Sequence, residues 1–294
     1  MPAKVIYQES SKPQVTVVIP SLDGSRDGNV DKLINELKNQ TFKSIEIILS
    51  INESPNGHAR NVGIEKASSS SQYFCFFDDD VSLGSHNIIS NFINGLSDNS
   101  IGMVGASQIP PYNSNLLEKW IAYDLNKAKF PMQKSVVDTE MATHAGLGIT
   151  RELWDALEGE DDNLVTGTDT DLRQRIRDAG YRVVVVPNTL VYHPMPSNLP
   201  MIFKSAIRNG AYQVFYMQKH GFQSGFLKPF SKINNSFDLI FKILTEIIIF
   251  LPHIFYVNRK SVSAFGFRPI NAIYRLLMVC SYAKQCLREN ISNS

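Results

Sequence analysis

The chain has 294 residues, of which 43% are hydrophobic and 19% charged, as in an ordinary folded protein of one or two domains. Its three cysteines, Cys75, Cys280 and Cys286, are too few and too scattered for a disulfide framework or a zinc site. Residues 1–14 are polar and lack an apolar run, so no secretory signal is expected. We therefore expect a protein of the reducing cytoplasm.

The net charge of +1 conceals a contrast between the two parts of the chain. Residues 1–199 carry 17 Lys and Arg against 25 Asp and Glu, a balance of −8. Residues 200–294 carry 12 against 3, a balance of +9, and the two parts add up to +1. This contrast predicts two regions with different partners, divided after residue 199.

Strand and helix patterns alternate over the first 80 residues. The runs VTVVI at 15–19 and IEIILSI at 45–51 are typical of buried parallel strands, and the aromatic run YFCFF at 73–77 predicts a third. Apolar residues at helical spacing over 30–37, and a short helix over 58–67, separate these strands. Strand, helix, strand, helix, strand is half of a doubly wound α/β sheet.

Three carboxylates, Asp78–Asp80, follow the third strand without a spacer. Ligands of open α/β sheets bind at the carboxyl ends of the strands, so this motif should lie beside Pro20-Ser21 and Asn52-Glu53. Adjacent carboxylates repel one another unless a cation compensates them, and oxygen ligands suit a divalent ion. The alternative interpretation of the motif is a solvated acidic turn.

The rest of the chain continues the α/β pattern and then becomes helical. Further strands are predicted over 102–106, 142–149, 182–187 and 190–193. Further helices are predicted over 85–96, 114–130, 151–157, 168–179, 202–220, 237–251 and 269–287. The 237–251 run carries Asp238, Lys242 and Glu246 at four-residue spacing. A membrane-spanning helix needs about 20 mostly uncharged residues, so this run is interpreted as an amphipathic or packed helix.

Seven ordered motifs define the first region. They are VVIPS at 17–21, NQTFKSIEIIL at 39–49, ARNVGI at 59–64, FFDDD at 76–80, GLGITRELW at 146–154, GTDTDLRQRIRDAGYRVVVVP at 167–187 and VYH at 191–193. Together, in this order and spacing, they resemble the inverting nucleotide-sugar glycosyltransferases of family 2. The resemblance implies the GT-A fold, a Rossmann-like mixed α/β sheet, over residues 15–199. A basic, amphipathic helical C-terminal region then occupies residues 200–294.

The resemblance also implies a metal site. In that family a nucleoside diphosphate leaves the anomeric carbon while an acceptor hydroxyl attacks its opposite face. Asp78 and Asp80 match the family's DXD motif and are expected to hold Mn²⁺ or Mg²⁺, which stabilises the leaving diphosphate. Asp79, between them, is expected to reach the sugar. His193 stands in the family's V-x-H position and is a candidate further metal ligand, the alternative being a histidine packed at a strand end.

The family's Glu-Asp-x-Asp-Leu motif corresponds here to TDTDL at 168–172. By that match Asp169 is the expected catalytic base for the acceptor hydroxyl, and a simple helix cap is the alternative. Thr168 stands where the family has glutamate, which leaves the surroundings of the base open. His144, Gly146 and Thr168 are candidate acceptor-binding residues, although a purely structural role is equally open for His144.

A donor site is expected at the edge of the sheet, formed by Pro20, Ser21, Asn52, Glu53, Arg60, Asp78 and Asp79. The family often has paired aspartates after the second strand, whereas this chain has Asn52-Glu53. Glu53 can still accept the ring N–H of a base, and a UDP- or dTDP-sugar is the expectation from the family. The expected acceptor is a saccharide or lipid-linked sugar of cell-surface polysaccharide or glycolipid synthesis. No nucleic-acid partner is expected.

The basic C-terminal helices predict peripheral binding to an anionic membrane surface, on the inner face of the cell membrane. A helical cap on the sheet or a homodimer interface is the alternative. Two other functions stay open at this point. Asp78-x-Asp80 after a strand also resembles the nucleophile motif of haloacid-dehalogenase-type phosphatases, although two strands precede it here. Asn52 and Thr168, which depart from the family, would also suit a non-catalytic transferase-like protein that binds sugars or partner proteins.

Overall fold

The computed structural model describes residues 2–124, 132–139, 142–221, 237–238, 240–245, 248 and 268–288. Contacts divide the chain into two units. The first unit comprises residues 1–114 and 125–194, and the second comprises residues 115–124 and 195–294.

A mixed β-sheet forms the centre of the first unit. Within the described residues its strands are β1 Ala3–Gln8, β2 Val15–Ser21, β3 Ile45–Ile51, β4 Tyr73–Phe76, β5 Ser82–Leu83, β6 Ile101–Ile109, β7 Val137–Asp138, β8 Leu147–Thr150 and β9 Arg182–Tyr192. Their order across the sheet is β1-β3-β2-β4-β8-β6-β9-β5, and β7 pairs with β9. The predicted mixed α/β sheet is confirmed.

The strand directions bring three carboxyl ends together at the edge of the sheet where the ligand site is expected. β3, β2 and β4 run parallel, with Ser21 opposite Ile51 and Val18 opposite Phe76. β8 is antiparallel to both β4 and β6, whereas β6 and β9 are parallel. The carboxyl ends of β2, β3 and β4 therefore lie side by side, as ligand-binding edges of α/β sheets do.

Helices of the first unit cover both faces of this sheet. The helices of the described residues are α1 Asn29–Lys38, α2 Asn56–Ile64, α3 Ile88–Leu96, α4 Leu116–Asp124, α5 Arg151–Ala156, α6 Thr168–Asp178, α7 Leu199–His220 and α8 Arg268–Arg288. Successive strand residues face opposite sides. Val17 and Phe77 accordingly share a core with α1 and α3, while Val18 and Phe76 share another with α2, α5 and α6.

Helix α2 packs unusually close to the sheet. A Cβ atom at Gly63 would lie 2.5 Å from Cγ1 of Val18, so a side chain at this position would have to displace that of Val18. The close packing matters for the site, because α2 also carries Arg60.

The second unit is helical and contains α4, α7 and α8. Val214 of α7 packs with Val279, Tyr282 and Ala283 of α8. Residues 240–245 are helical, and most of the rest of the predicted 237–251 helix lies outside the described residues. In the part of the chain that the structure describes, no helix is both long and apolar enough to cross a membrane.

Five strands of the described residues differ from the sequence prediction. The prediction omits β1, an edge strand, and the two-residue strands β5 and β7. Residues 182–187 and 190–193 are predicted as two strands, but β9 is continuous and passes through Asn188 in a left-handed conformation, at φ 57°. The strand predicted over 142–149 begins only at Leu147, and residues 142–146 form the turn that holds His144.

Candidate active site

Polar segments from three strand ends meet at the predicted edge of the sheet. The N–H group of Asn52 donates to the carbonyl oxygen of Ser21 at 3.1 Å, and Oγ of Ser21 donates to Oδ2 of Asp79 at 2.7 Å. Pro20 precedes them within β2 and is buried. Asn52 has φ 59°, a left-handed conformation that Asn tolerates well. The structure therefore brings these segments together, as the topology predicts.

Each of the three aspartates has its own partner. Oδ1 of Asp78 accepts a hydrogen bond from Nη2 of Arg60 at 2.8 Å. Asp79 accepts a hydrogen bond from the hydroxyl group of Ser21. Oδ2 of Asp80 lies 3.3 Å from Nη2 of Arg26, and its Oδ1 lies 3.6 Å from Nε2 of His193. The acidic motif is thus a built polar cluster and not a freely solvated turn.

Asp80 is the least compensated carboxylate of this cluster. Burial and then the charge of Asp78 raise the pKa of Asp80 to about 6, against the opposing effect of Arg26. Its Oδ1 is buried without a hydrogen-bond partner. Among the described residues no three His, Cys, Asp or Glu side chains are arranged to hold a metal ion. Asp80 and His193 therefore offer a partial set of ligands, while the bonded oxygen of Asp78 is turned to Arg60.

Arg26 is a cation that the sequence interpretation misses. It follows β2 in a loop where Oδ1 of Asp23 accepts the N–H groups of Ser25 and Arg26, at 2.9 and 2.8 Å. Arg26 has φ 49° and reaches both Asp79 and Asp80. The available signal was the repulsion among three carboxylates, which calls for a nearby positive charge but does not identify the residue.

Arg60, predicted to bind the donor, is only 3% exposed in its side chain. Besides Asp78, its guanidinium contacts Oε2 of Glu160 at 3.2 Å and Oγ1 of Thr168 at 3.4 Å, both through Nη1. A donor contact by Arg60 stays a prediction. In this structure the guanidinium connects the DXD motif to the loop and helix that carry the expected base.

Asp169 lies in the first turn of α6, where the helix dipole favours a negative charge. Its Oδ1 accepts the backbone N–H of His144 at 2.8 Å and also contacts Nδ1 of the His144 ring. The ring is 1% exposed, whereas the Asp169 side chain is 34% exposed. The other ring nitrogen, Nε2, pairs with Oε1 of Glu160, which is also 1% exposed.

These contacts set the protonation states. Burial and a neighbouring guanidinium oppose protonation of the imidazole, but the carboxylates of Glu160 and Asp169 outweigh both and raise the pKa of His144 to about 9. Burial alone would raise the pKa of Asp169, but the imidazolium and nearby arginines hold it below its usual range. The same balance lowers the pKa of Glu160. Asp169 is therefore ionised at neutral pH, as a proton acceptor must be.

The remaining residues predicted to bind donor or acceptor differ in solvent exposure. Glu53 is partly exposed, and its Oε2 lies 3.3 Å from Nε2 of His58. Gly146 is buried just before β8, and its carbonyl oxygen accepts the N–H of Ala106 at 2.9 Å. Thr168 opens α6 next to Asp169 and is 9% exposed. Of the three residues expected to bind the acceptor, none exposes much surface in this conformation.

The fold defines a class of protein. It is similar to the fold of the mannosyltransferase PcManGT from Pyrobaculum calidifontis, solved in complex with GDP-Man and Mn²⁺. The TM-score is 0.52 at 14% identity, covering 100% of this chain and 80% of that one. At this identity the likeness shows the fold alone, and the fold is that of a GT-A glycosyltransferase.

The family follows from the sequence comparison. The family model described as "Glycosyltransferase like family 2" matches residues 3–211, and the chain belongs to this family of enzymes. It is 24% identical over 194 residues to the O-antigen chain rhamnosyltransferase RfbN of Salmonella typhimurium (strain LT2). That match covers 64% of this chain and 59% of the length of RfbN. The phosphatase alternative is therefore set aside.

Proposed function

We propose that this chain transfers a hexose from a nucleoside diphosphate sugar to an acceptor hydroxyl, with inversion at the anomeric carbon. The observation that carries the proposal is the carboxylate of Asp169. One of its oxygens is held by the backbone and ring of His144, while the side chain as a whole is 34% exposed. A base needs this combination of fixed orientation and access to the substrate. In this scheme residues 15–199 carry the transfer and residues 200–294 are a separate region.

The reaction assigns a role to each side chain. Asp169 takes the proton of the acceptor hydroxyl as its oxygen attacks the anomeric carbon. The bond between that carbon and the donor's phosphate oxygen breaks, and the nucleoside diphosphate leaves with the bonding electrons. Asp79, which accepts a hydrogen bond from Ser21, is assigned to a hydroxyl of the donor sugar. Thr168 and the turn around Gly146 are assigned to the acceptor side.

The residues present fit a divalent cation in part. The buried, unpartnered Oδ1 of Asp80 is a hard oxygen donor, and Nε2 of His193 lies 3.6 Å from it. We assign Asp80 and His193 as direct ligands, with Asp78 as a further ligand. When bound, Mn²⁺ or Mg²⁺ would supply positive charge to the diphosphate. Arg26, which contacts the same carboxylates, compensates them in the protein alone.

The donor site follows from the edge of the sheet. Asn52 and Glu53 are assigned to the base, because they follow the strand next to β2 and Glu53 is partly exposed. UDP- and dTDP-sugars are the proposed donors. The complex of PcManGT contains GDP-Man, so guanosine donors belong in the same test. RfbN acts in O-antigen synthesis, and by analogy we propose a cell-surface polysaccharide or glycolipid as the product.

Calorimetry tests the donor and metal assignments together. UDP, dTDP and GDP are titrated into the protein with and without Mn²⁺. We expect one base to bind, at least about tenfold more tightly with Mn²⁺, which corresponds to about 1.4 kcal/mol. Asp80→Asn should remove the metal-dependent gain, whereas Asp155→Asn, at an exposed position of α5, should retain it. Binding of none of the three nucleotides, or the same affinity with and without Mn²⁺, would contradict the proposal.

We also propose that the C-terminal region binds anionic membranes. Phe237, Ile240, Phe241, Leu244 and Ile248 are exposed, and their spacing places them along one helical face. This apolar face belongs to a region with a balance of +9, which suits an anionic lipid surface. The protein should float with vesicles that contain phosphatidylglycerol at low salt and stay behind with neutral vesicles. Equal behaviour with both would reject lipid binding through charge.

A further inference from the structure

Glu160 has no part in the reaction described above, yet it is among the most buried carboxylates of the described residues. We propose that Glu160 and His144 are positioning residues that, with Arg60, fix Asp169 relative to the DXD motif. This inference rests on the proposed transferase function. The group of five side chains, Asp169, His144, Glu160, Arg60 and Asp78, is called the ionic bridge below.

The ionic bridge alternates in charge from end to end. Asp169 pairs with Nδ1 of His144, and Nε2 of the same ring pairs with Glu160. Glu160 contacts Nη1 of Arg60 at 3.2 Å, and Nη2 of Arg60 contacts Asp78 at 2.8 Å. Carboxylates carry no proton at neutral pH, so both ring nitrogens of His144 have to be protonated to pair with them. Each internal member is thus held by two partners of opposite charge.

The three inner side chains of the ionic bridge are almost completely buried. The side chains of Glu160 and His144 are 1% exposed and that of Arg60 is 3% exposed, while the terminal Asp169 and Asp78 are 34% and 29% exposed. A buried charge is tolerated when it is paired and hydrogen-bonded, so the inner three side chains depend on one another. The two terminal carboxylates, which reach solvent, are those assigned to the reaction.

Glu160 is itself fixed by α2. Nδ2 of Asn61 donates to the carbonyl oxygen of Glu160 at 2.8 Å, and Oδ1 of Asn61 accepts its N–H at 3.0 Å. The preceding residue, Gly159, has φ 70°, and a Cβ atom there would lie 2.6 Å from Oδ1 of Asn61. A Cβ atom at Gly57 would lie 3.0 Å from Oε2 of Glu160. Helix α2 therefore clamps the backbone of Glu160 and leaves room for its carboxylate.

The consequence concerns the geometry of transfer. Asp169 lies on α6 and Asp78 follows β4, and both are tied to the same buried carboxylate through one intervening cation. Displacement of a reacting group by about 1 Å can cost a factor of about 100 in rate. The ionic bridge keeps the base and the DXD motif in a constant relation while substrates enter and leave.

A pair of substitutions at one position separates the two contacts of the ring. The amide nitrogen of asparagine occupies roughly the place of Nδ1, and that of glutamine the place of Nε2. His144→Asn should keep the contact with Asp169, and His144→Gln should keep the contact with Glu160. We expect His144→Asn to retain kcat within about tenfold and His144→Gln to lose about 100-fold, with KM for the donor little changed in both.

The assay follows hydrolysis of the nucleotide sugar, in which water takes the place of the acceptor hydroxyl. The thermal midpoint of unfolding and the Kd of the nucleotide with Mn²⁺ are measured on the same samples. His86→Gln, at an exposed loop position, is the control and should match the wild type in all three. Glu160→Gln should lower kcat about tenfold or more with Kd unchanged. If that variant does not fold, the two His144 variants decide the question.

A spectroscopic readout is independent of activity. In the metal-free wild type at neutral pH, nitrogen-edited NMR should show two slowly exchanging ring N–H signals for His144. A single ring N–H, or equal kcat values for His144→Asn and His144→Gln, would overturn the inference while leaving the proposed function standing. A wild type that consumes no nucleotide sugar and binds no nucleotide would refute both.

Discussion

Replacing Asp169 with asparagine isolates its role as a base. The amide oxygen can take the place of Oδ1, so the hydrogen bond from the backbone of His144, 2.8 Å in the wild type, can persist. What is lost is the ionised oxygen that accepts the proton of the acceptor. General base catalysis typically contributes a factor of about 10² to 10⁴, so we expect kcat to fall by that factor, equivalent to about 3–5 kcal/mol in the barrier.

The assay compares steady-state consumption of the nucleotide sugar with calorimetric binding of the nucleotide. Binding should stay within about threefold of the wild type, since Asp169 lies outside the DXD cluster, and this difference is about 0.6 kcal/mol. Asp178→Asn, at an exposed position at the other end of α6, should change neither quantity. A variant that loses Asp169 yet keeps more than about a tenth of the wild-type kcat would refute the base assignment.

Two further predictions concern stability. Arg60→Met removes the partner of the buried Glu160 and should lower the free energy of unfolding by about 3–5 kcal/mol, measured by urea denaturation. Arg26→Met, whose side chain is 53% exposed, should cost less than about 1 kcal/mol, and similar losses for the two would contradict the burial argument. The pKa of His144 is raised from 6.5 to about 9, so its stabilising charge is fully present below pH 6.5 and is lost as the pH rises through 9. The urea midpoint should therefore fall from pH 7 to pH 10 in the wild type and fall less in His144→Asn; the same fall in both would contradict this assignment.

Much of the fold was accessible from residue patterns. The runs at 15–19, 45–51 and 73–77 are mostly apolar because these strands are covered on both faces, which makes them easy to recognise. Strand β1 is different, since Ala3–Gln8 lies at the edge and is partly exposed, so its pattern is weak. Pro187 and Asn188 suggest a break in the last strand, but hydrogen bonding to β6 continues beyond them with a shift in register.

The candidate site was accessible in part. Adjacency of Ser21, Asn52 and Asp79 follows from topology alone. The role of Glu160 does not, because it lies in the acidic loop 158–163, where a solvated carboxylate is the natural expectation. Its burial depends on Arg60, which is 100 residues away in the chain. Long-range charge pairs of this kind leave no local signature.

His144 illustrates the same limit. The sequence places it near a Gly-rich turn and makes it a candidate for acceptor contact. In the structure its ring is enclosed by Glu160, Asp169 and Phe76, the last at 5.7 Å between ring centres, and it exposes 1% of its side chain. The enclosed ring supports the structural role of His144, the acceptor contact stays a prediction, and the enclosure itself is visible only in the three-dimensional arrangement.

The most direct test of the central claim, inverting transfer with Asp169 as base, is the configuration of the product. The wild-type protein with Mn²⁺ hydrolyses a nucleotide sugar, and proton NMR is recorded on the released sugar before its anomers equilibrate. The spectrum reports the anomeric configuration of the first product. Attack from the face opposite the leaving diphosphate predicts the anomer opposite to that of the donor. Release of the sugar with the donor's own anomeric configuration would contradict the account.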